Sequence, residues 1–129
     1  MNLLWVALGG AVGASLRYGL AMACMPLSRW ALGTLAANVL GSLLLGGFMA
    51  WWLPRAAELG ESLRLFVAIG LLGGFTTFST FSYDTLALAF GGRPLAAVLN
   101  IAMNLFGALG AVWVGWWIMR GWASGAGAV

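Results

Sequence analysis

Four long apolar runs constrain the fold of this chain more than any other feature. They cover roughly residues 2–25, 30–53, 63–90 and 95–119, and each is long enough for a helix to cross a bilayer. The three prolines fall between the runs, where they would end helices. With 63% hydrophobic and 7% charged residues, a water-soluble domain of this size could not cover its apolar side chains. The sequence predicts an all-α membrane protein with four transmembrane helices in a single domain, residues 1–129.

The charged and reactive side chains exclude several function classes. The chain has six arginines and no lysine. The arginines lie mostly at the ends of the runs, which indicates interfacial anchors rather than a nucleic-acid surface. Histidine is absent, which removes most acid–base and metal chemistry. Cys24 is the only thiol, and no carboxylates are paired at membrane depth, so a base–nucleophile set is lacking. We therefore expect neither an enzyme nor a nucleic-acid-binding protein.

The arginines are balanced between the two predicted sides of the membrane. The side of the termini has Arg55, Arg64 and Arg120, and the other has Arg29, Arg93 and the nearby Arg17. Such a count gives almost no orientation under the positive-inside rule. A short chain can give this balance by chance, or the protein can insert in both directions and pair with itself antiparallel. Both interpretations stay open at this point.

The third run carries a polar stretch at membrane depth, Gly70–Asp84. Backbone loosened at Gly73-Gly74 would free carbonyl groups, and such backbone persists in a membrane only inside protein or along a polar cavity. We therefore predict two half-helices with an interruption around residues 73–77. Freed carbonyls and a threonine oxygen would be hard ligands suited to Na⁺ or another hard cation. Alternatively, the hydroxyls only bond back to the carbonyl four residues earlier. The stretch holds five hydroxyls in seven residues, namely Thr76, Thr77, Ser79, Thr80 and Ser82.

Phenylalanine recurs every three residues through this stretch, at Phe75, Phe78 and Phe81. After an interruption, Phe78 and Phe81 would share one helix face. The positive edge of a phenyl ring could help a small anion to lose its water without offering a full charge that holds it too tightly. Packing or lipid contact is the alternative, and the spacing alone favours it.

Three asparagines also lie at membrane depth. Asn38 falls in the second run, and Asn100 and Asn104 lie one turn apart in the fourth. Their N–H groups could donate to an anion, or the amides could simply join helices through hydrogen bonds. Asp84, at the end of the polar stretch, is either a vestibule carboxylate or a partner of Arg17.

Small residues recur at four-residue spacing in the first two runs, at Gly9 and Gly13 and at Gly33, Ala37 and Gly41. Such faces let helices approach closely. We expect them to permit tight interfaces, including those of a pair of chains.

Three segments resemble the CrcB/Fluc family of fluoride channels. They are Gly-Ala-Ser-Leu-Arg-Tyr at 13–18, Gly-Thr-Leu-Ala-Ala-Asn-Val-Leu-Gly at 33–41, and Gly-Gly-Phe-Thr-Thr-Phe-Ser-Thr-Phe-Ser at 73–82. The third is the most specific of them. Asn100 and Asn104 fit the polar track of the family's last helix, so the likeness extends over all four runs in one order.

The resemblance implies an antiparallel, dual-topology homodimer in the cell inner membrane. Such a dimer exports cytoplasmic fluoride passively through two pores and holds a structural Na⁺ at the centre of its interface. Gly73 and Thr76 would hold the sodium through backbone oxygens, and Arg17 and Asp84 would lie in the vestibule. The pore residues would be Asn38, Thr77, Phe78, Ser79, Phe81, Asn100 and Asn104.

A small proton-coupled multidrug exporter is the alternative function, because such a protein also has four spans and can insert both ways. It needs a titratable carboxylate deep in a helix. The first run has none, and Asp84 is the only acid inside any run.

Overall fold

Four helices are long and apolar enough to cross a membrane. The computed structural model of the chain describes residues 1–25 and 31–126, with side chains as far as Trp122. Pro26 and Arg29, which we assigned to the first turn, lie outside the described residues. The elements in chain order are α1 (Asn2–Cys24), α2 (Leu32–Trp52), α3 (Ala56–Leu59), α4 (Glu61–Arg64), a π-helical segment (Leu65–Leu72), α5 (Gly73–Phe75), α6 (Phe78–Phe90) and α7 (Pro94–Ala126).

The turns between the later spans depend on glycine. After α2 the chain continues through a 3₁₀ turn, Leu53–Arg55, and the short α3, so the reversal comes only at Gly60. Gly60 has φ of 74° and Gly92, between α6 and α7, has φ of 73°. Residues with a side chain are strained at such angles, whereas glycine is not. These two positions therefore let the chain turn back into the membrane.

The last helix is longer than the sequence pattern predicts. We placed the fourth run at about 95–119, whereas α7 begins at Pro94 and continues to Ala126. Proline is well suited to the first helical position because its missing N–H would have no helical partner there. No proline follows Arg120, so nothing in the sequence stops the helix where hydropathy falls.

α2 and α7 form one closely packed pair. A Cβ added at Gly46 would lie 2.0 Å from the Val112 carbonyl oxygen, and one at Gly115 would lie 2.0 Å from the Leu43 carbonyl oxygen. Real Cβ atoms do not come so close. The two backbones are therefore in direct contact, which only glycine permits at these positions.

α1 forms a second such pair with the first half of the third span. A Cβ at Gly13 would lie 2.0 Å from the Leu71 carbonyl oxygen, and one at Gly9 would lie 2.2 Å from that of Phe66. In the second small-residue face, a Cβ at Gly41 would lie 2.3 Å from Thr76 Cγ2. The two small-residue faces therefore let helices of this chain approach closely, as we expected.

Candidate functional site

The third span is interrupted at two threonines. Thr76 has φ −85° and ψ 156°, and Thr77 has φ −153° and ψ 117°, so both are extended between α5 and α6. Gly73 and Gly74, where we expected the loosened backbone, are helical. Threonine is well suited to extended backbone because its branched Cβ restricts it in a helix. The interruption thus lies within the predicted range 73–77 but not at its glycines.

The glycines before the interruption have a different role, which is close packing. A Cβ at Gly74 would lie 2.9 Å from the Gly10 carbonyl oxygen, so α1 presses against this turn. The π-helical segment that precedes it has wider turns than an α-helix, and such turns are rare and often occur at functional sites. Helical geometry is therefore altered on both sides of Gly73-Gly74.

Asn38 of α2 replaces the helical hydrogen bond that the Thr77 N–H loses at the interruption. Its Oδ1 accepts from the Thr77 backbone N–H at 2.8 Å, and its Nδ2 donates to the Thr77 carbonyl at 3.1 Å. The Thr77 carbonyl also accepts the first hydrogen bond within α6, because Thr77 is the N-cap of that helix. One asparagine amide thus contacts both backbone groups of Thr77 with one acceptor and one donor.

Thr77 also begins α6 as its N-cap. Its Oγ1 accepts from the Thr80 backbone N–H at 3.2 Å. The same oxygen lies 3.1 Å from the hydroxyl oxygens of Ser79 and Thr80. Threonine is a favourable residue at this position because its oxygen satisfies a free N–H of the first turn. Thr77 and Ser79, both predicted to be pore residues, therefore meet at the start of this helix.

The carbonyls of residues 73–76 lose their regular helical donors at the interruption, because a new helix starts after Thr77. In a continuous helix the Thr77 N–H would donate to Gly73, and the Thr80 N–H would donate to Thr76. Here those two N–H groups turn to Asn38 and to Thr77 Oγ1. The family resemblance assigns two of these four carbonyls, those of Gly73 and Thr76, to sodium. Neutral carbonyl oxygens are the hard ligands that such a cation takes.

The three membrane asparagines form one hydrogen-bonded series. Asn38 Nδ2 donates to Asn104 Oδ1 at 2.9 Å, and Asn104 Nδ2 donates to Asn100 Oδ1 at 3.1 Å. Asn104 Nδ2 also lies 3.0 Å from the Asn100 carbonyl oxygen. Asn100 is 2% exposed and Asn104 is 5% exposed. Both predicted roles, donation to an anion and hydrogen bonding between helices, fit this arrangement. The bond between Asn38 and Asn104 joins α2 to α7, and the same two amides lie beside a cavity.

Phe78 and Phe81 form an edge-to-face pair beside that cavity. Their ring centroids are 5.3 Å apart and their planes are inclined by 64°. The cavity measures about 290 Å³, and Asn38, Asn104 and both rings line it. None of the described residues that line it is charged. Amides, hydroxyls and phenyl rings are thus the neutral groups nearest to an anion in this space.

Arg17 and Asp84 contact different partners. Arg17 Nε donates to the Gly74 carbonyl at 3.3 Å, while Asp84 Oδ2 accepts from Thr34 Oγ1 at 2.7 Å. Asp84 also lines a smaller cavity of about 260 Å³ with Thr80 and Cys24. Of the two roles that we left open for Asp84, these contacts fit a vestibule carboxylate better than an ion pair with Arg17.

Sequence reasoning missed Thr85, which accepts a hydrogen bond from Asn100 Nδ2 at 2.9 Å. Its hydroxyl donates to the Phe81 carbonyl at 2.8 Å. Thr85 lies just outside the hydroxyl-rich stretch, and nothing local distinguishes it from a threonine that bonds back along its own helix.

Fold and site together define a multi-pass membrane protein in which neutral polar groups from three spans meet at an interrupted helix. Residues 4–116 match the family model described as CrcB-like protein, Camphor Resistance (CrcB). The chain therefore belongs to this family, and the resemblance seen in its sequence motifs is confirmed.

Relatives of this chain from several organisms share one name, fluoride-specific ion channel FluC. A protein of Hyphomonas neptunium (strain ATCC 15444), named fluoride-specific ion channel FluC, is 40% identical over 120 residues, which cover 91% of this chain and 94% of the relative. Relatives of the same name from Shewanella woodyi (strain ATCC 51908 / MS32) and Salinibacter ruber (strain DSM 13855 / M31) are 45% identical over 106 residues and 43% identical over 110 residues. These alignments each cover 81% of this chain, and 84% and 78% of the relatives.

Proposed function

We propose that this protein is an ion channel that lets fluoride leave the cytoplasm passively across the cell inner membrane. The observation that carries the proposal is the uncharged cavity at the interrupted span, which amides and phenyl rings line. The relatives' name, fluoride-specific ion channel, agrees with it. Fluoride is small and strongly hydrated, so it needs donors that replace its water. Neutral donors do this without binding the ion too tightly to release it.

The proposed channel is a homodimer of antiparallel chains. Phe78 supports this, because its ring lies at the cavity and yet is 78% exposed in the single chain. A second chain would cover this ring, and the balanced arginines permit the opposite insertion that antiparallel pairing needs. Lipid would cover the remaining apolar surface.

A structural Na⁺ at the centre of that dimer is the third part of the proposal. Gly73 and Thr76 would hold it through the two carbonyls whose helical donors are diverted. In the described part of the chain, His, Cys, Asp and Glu form no cluster that could hold a metal. The proposed ligands are neutral backbone oxygens, and such oxygens suit a monovalent hard cation better than a transition metal. Such an ion would hold the two interruptions together.

The experiment for sodium replaces Na⁺ by N-methyl-D-glucamine during purification in detergent. We expect the dimer to dissociate at a lower temperature, which light scattering during a thermal ramp measures. Sodium added back should restore the dimer, and potassium at equal ionic strength is the control. Equal dimer stability in all three salts would contradict the sodium site.

Fluoride conduction is tested with purified protein in liposomes loaded with potassium fluoride. A potassium ionophore balances the charge, and a fluoride electrode measures efflux. We expect rapid efflux of fluoride, none from protein-free liposomes, and negligible efflux of chloride from liposomes loaded with potassium chloride. Chloride efflux as fast as that of fluoride would contradict the proposal.

The same liposomes distinguish a channel from a proton-coupled exporter. Efflux through a channel needs no pH gradient, whereas the exporter needs one and needs a deep carboxylate. Asp84 already accepts a hydrogen bond from Thr34, and the relatives are named as channels. The exporter is therefore not favoured. Efflux that depends on a pH gradient would support the exporter and contradict the channel.

A further inference from the structure

We propose that Thr85 is a positioning residue that fixes the orientation of the asparagine amides beside the cavity, and thereby the rate at which fluoride passes. This inference rests on the proposed fluoride conduction. It concerns a residue that lies outside the cavity lining and acts through Asn100. Three observations carry it: the direction of one series of hydrogen bonds, the burial of its members, and a contrast with Ser82.

The series has a fixed direction at its first end. The Thr77 backbone N–H can only donate, so it requires the oxygen of Asn38 on its side. The Asn38 nitrogen then faces both the Thr77 carbonyl and Asn104 Oδ1. Both amide hydrogens of Asn38 are therefore engaged. A flipped Asn104 would turn N–H against N–H, so its oxygen must face Asn38.

Thr85 fixes the other end. Asn104 turns its nitrogen to Asn100, so Asn100 presents its oxygen to Asn104 and its own nitrogen to Thr85. Thr85 can accept there because its hydroxyl hydrogen is directed to the Phe81 carbonyl. A hydroxyl is the group that can accept from an amide and donate to a carbonyl at once. The series thus begins at a backbone donor and ends at a backbone acceptor.

Because Asn100 and Asn104 are buried, the hydrogen bond from Asn100 to Thr85 is costly to lose. Asn100 is 2% exposed and Asn104 is 5% exposed, so water does not readily replace a lost partner. Without the Thr85 hydroxyl, the Asn100 nitrogen would lose the acceptor that holds it. Its amide would then rotate, and Asn104 would keep the Asn100 backbone carbonyl as an acceptor but lose the Asn100 side-chain oxygen. The amides beside the cavity would no longer be held in one arrangement.

Ser82 supplies a matched contrast on the same helix. Its hydroxyl donates to the Phe78 carbonyl at 2.9 Å, which is the same four-residue bond that Thr85 makes to Phe81. Ser82 is exposed, and its bond is an exposed one. Removal of its hydroxyl therefore tests the local bond without the amide series.

The experiment compares Thr85→Val, Thr85→Ser and Ser82→Ala with the wild type. Each protein is assayed for fluoride efflux from liposomes and for its side-chain amide spectrum after ¹⁵N-asparagine labelling. The chain has four asparagines and no glutamine, so the side-chain region holds four NH₂ groups. Asn2→Ala assigns the one at the terminus. Thr85→Ala replaces the valine variant if valine prevents folding.

We expect Thr85→Val to lower fluoride efflux about tenfold, because a buried donor loses its acceptor. Its spectrum should show changed shifts and faster hydrogen exchange in the two most protected NH₂ groups. Thr85→Ser should restore both the efflux and the spectrum, and Ser82→Ala should leave both unchanged.

If the wild type releases fluoride and Thr85→Val releases it at the same rate, the inference is overturned while the proposed function stays intact. Lost efflux with four unchanged NH₂ groups would overturn it as well, since Thr85 would then act by another route. Rapid hydrogen exchange of all asparagine NH₂ groups in the wild type would overturn it without any variant. Absent wild-type efflux would instead contradict the proposed function.

Discussion

At the scale of single residues, Asn38 connects the interrupted helix to the rest of the polar site. Its amide bonds both backbone groups of Thr77 and also reaches Asn104. A single side chain therefore replaces the helical hydrogen bond that the Thr77 N–H has lost and joins α2 to two other spans. Its removal would affect the fold and the cavity together.

Replacement of Asn38 by alanine should destabilise the protein and reduce fluoride efflux. The Thr77 N–H would lose its acceptor, at a cost of about 1–3 kcal/mol, while the Thr77 carbonyl would keep its hydrogen bond within α6. The midpoint of thermal unfolding in detergent and efflux from liposomes measure the two effects. Ser42→Ala, in the same cavity one turn further along α2, is the control. An unchanged midpoint in Asn38→Ala would show that water satisfies Thr77.

Replacement of Phe78 or Phe81 by alanine should abolish fluoride efflux while the dimer still forms. The two rings lie edge to face at the cavity, and their edges are the proposed anion contacts. Efflux from liposomes and size-exclusion chromatography measure the outcome. Phe90→Ala, which removes an exposed ring at the end of the same helix, should conduct normally. Normal efflux in both cavity variants would make the rings packing residues.

The sequence predicted the chemical type of this site better than its connections. Asparagine at membrane depth is unusual enough to single out Asn38 and Asn104, whereas the spacing of Phe78 and Phe81 alone favoured packing or lipid contact. Thr85 could not be found in this way, because a threonine hydroxyl has the same local bond whether or not a distant amide donates to it. Its role depends on how α6 packs against α7, which no local pattern records.

At the scale of elements, the third span combines three backbone geometries in one crossing. A π-helical segment leads into one short α turn, two extended residues follow, and α6 completes the span. The paired glycines and the density of hydroxyls indicated an irregular backbone here. They did not indicate which residues are extended, because Gly74 packs against α1 and the branched threonines leave the helix.

Replacement of Gly13 by alanine should separate α1 from this span. The added Cβ would lie 2.0 Å from the Leu71 carbonyl oxygen, so the two backbones would have to move apart. We expect a loss of stability of about 1–3 kcal/mol, as for other overpacked contacts, and reduced efflux. Thermal unfolding in detergent is the measurement.

Gly19→Ala is the matched control for this change, since nothing lies within 4 Å of a Cβ at that position of the same helix. Alanine is the better helix former, so the control should be neutral or slightly stabilising. Equal unfolding midpoints for the two variants would contradict the close contact between α1 and the third span.

At the scale of the whole molecule, hydropathy alone sufficed to predict four spans. The apolar runs are long, prolines separate them, and the structure has four helices that are long and apolar enough to cross a membrane. Hydropathy could not predict which helices pair, because lipid and protein contacts are equally apolar. Pairing follows instead from where glycine lets two backbones touch, as at Gly46 and Val112.

Opposite insertion of the chain should be visible by cysteine labelling. Cys24→Ser removes the only thiol, and Ala57→Cys adds one at an exposed position of α3. With insertion in both directions, a thiol reagent that cannot cross the membrane should label about half of the chains in intact cells and the rest after permeabilisation. The Cys24→Ser protein alone should stay unlabelled. Labelling from one side only would contradict the antiparallel dimer.

Backbone contact at glycine joins α1 to the first half of the third span, and α2 to α7. Asn38 and Thr77 form hydrogen bonds across the seam between these two close pairs. Bilayers of different thickness change the tilt of membrane helices. We expect such tilt to alter the seam sooner than the backbone contacts, so the proposed fluoride efflux should vary with bilayer thickness while every amino acid stays the same.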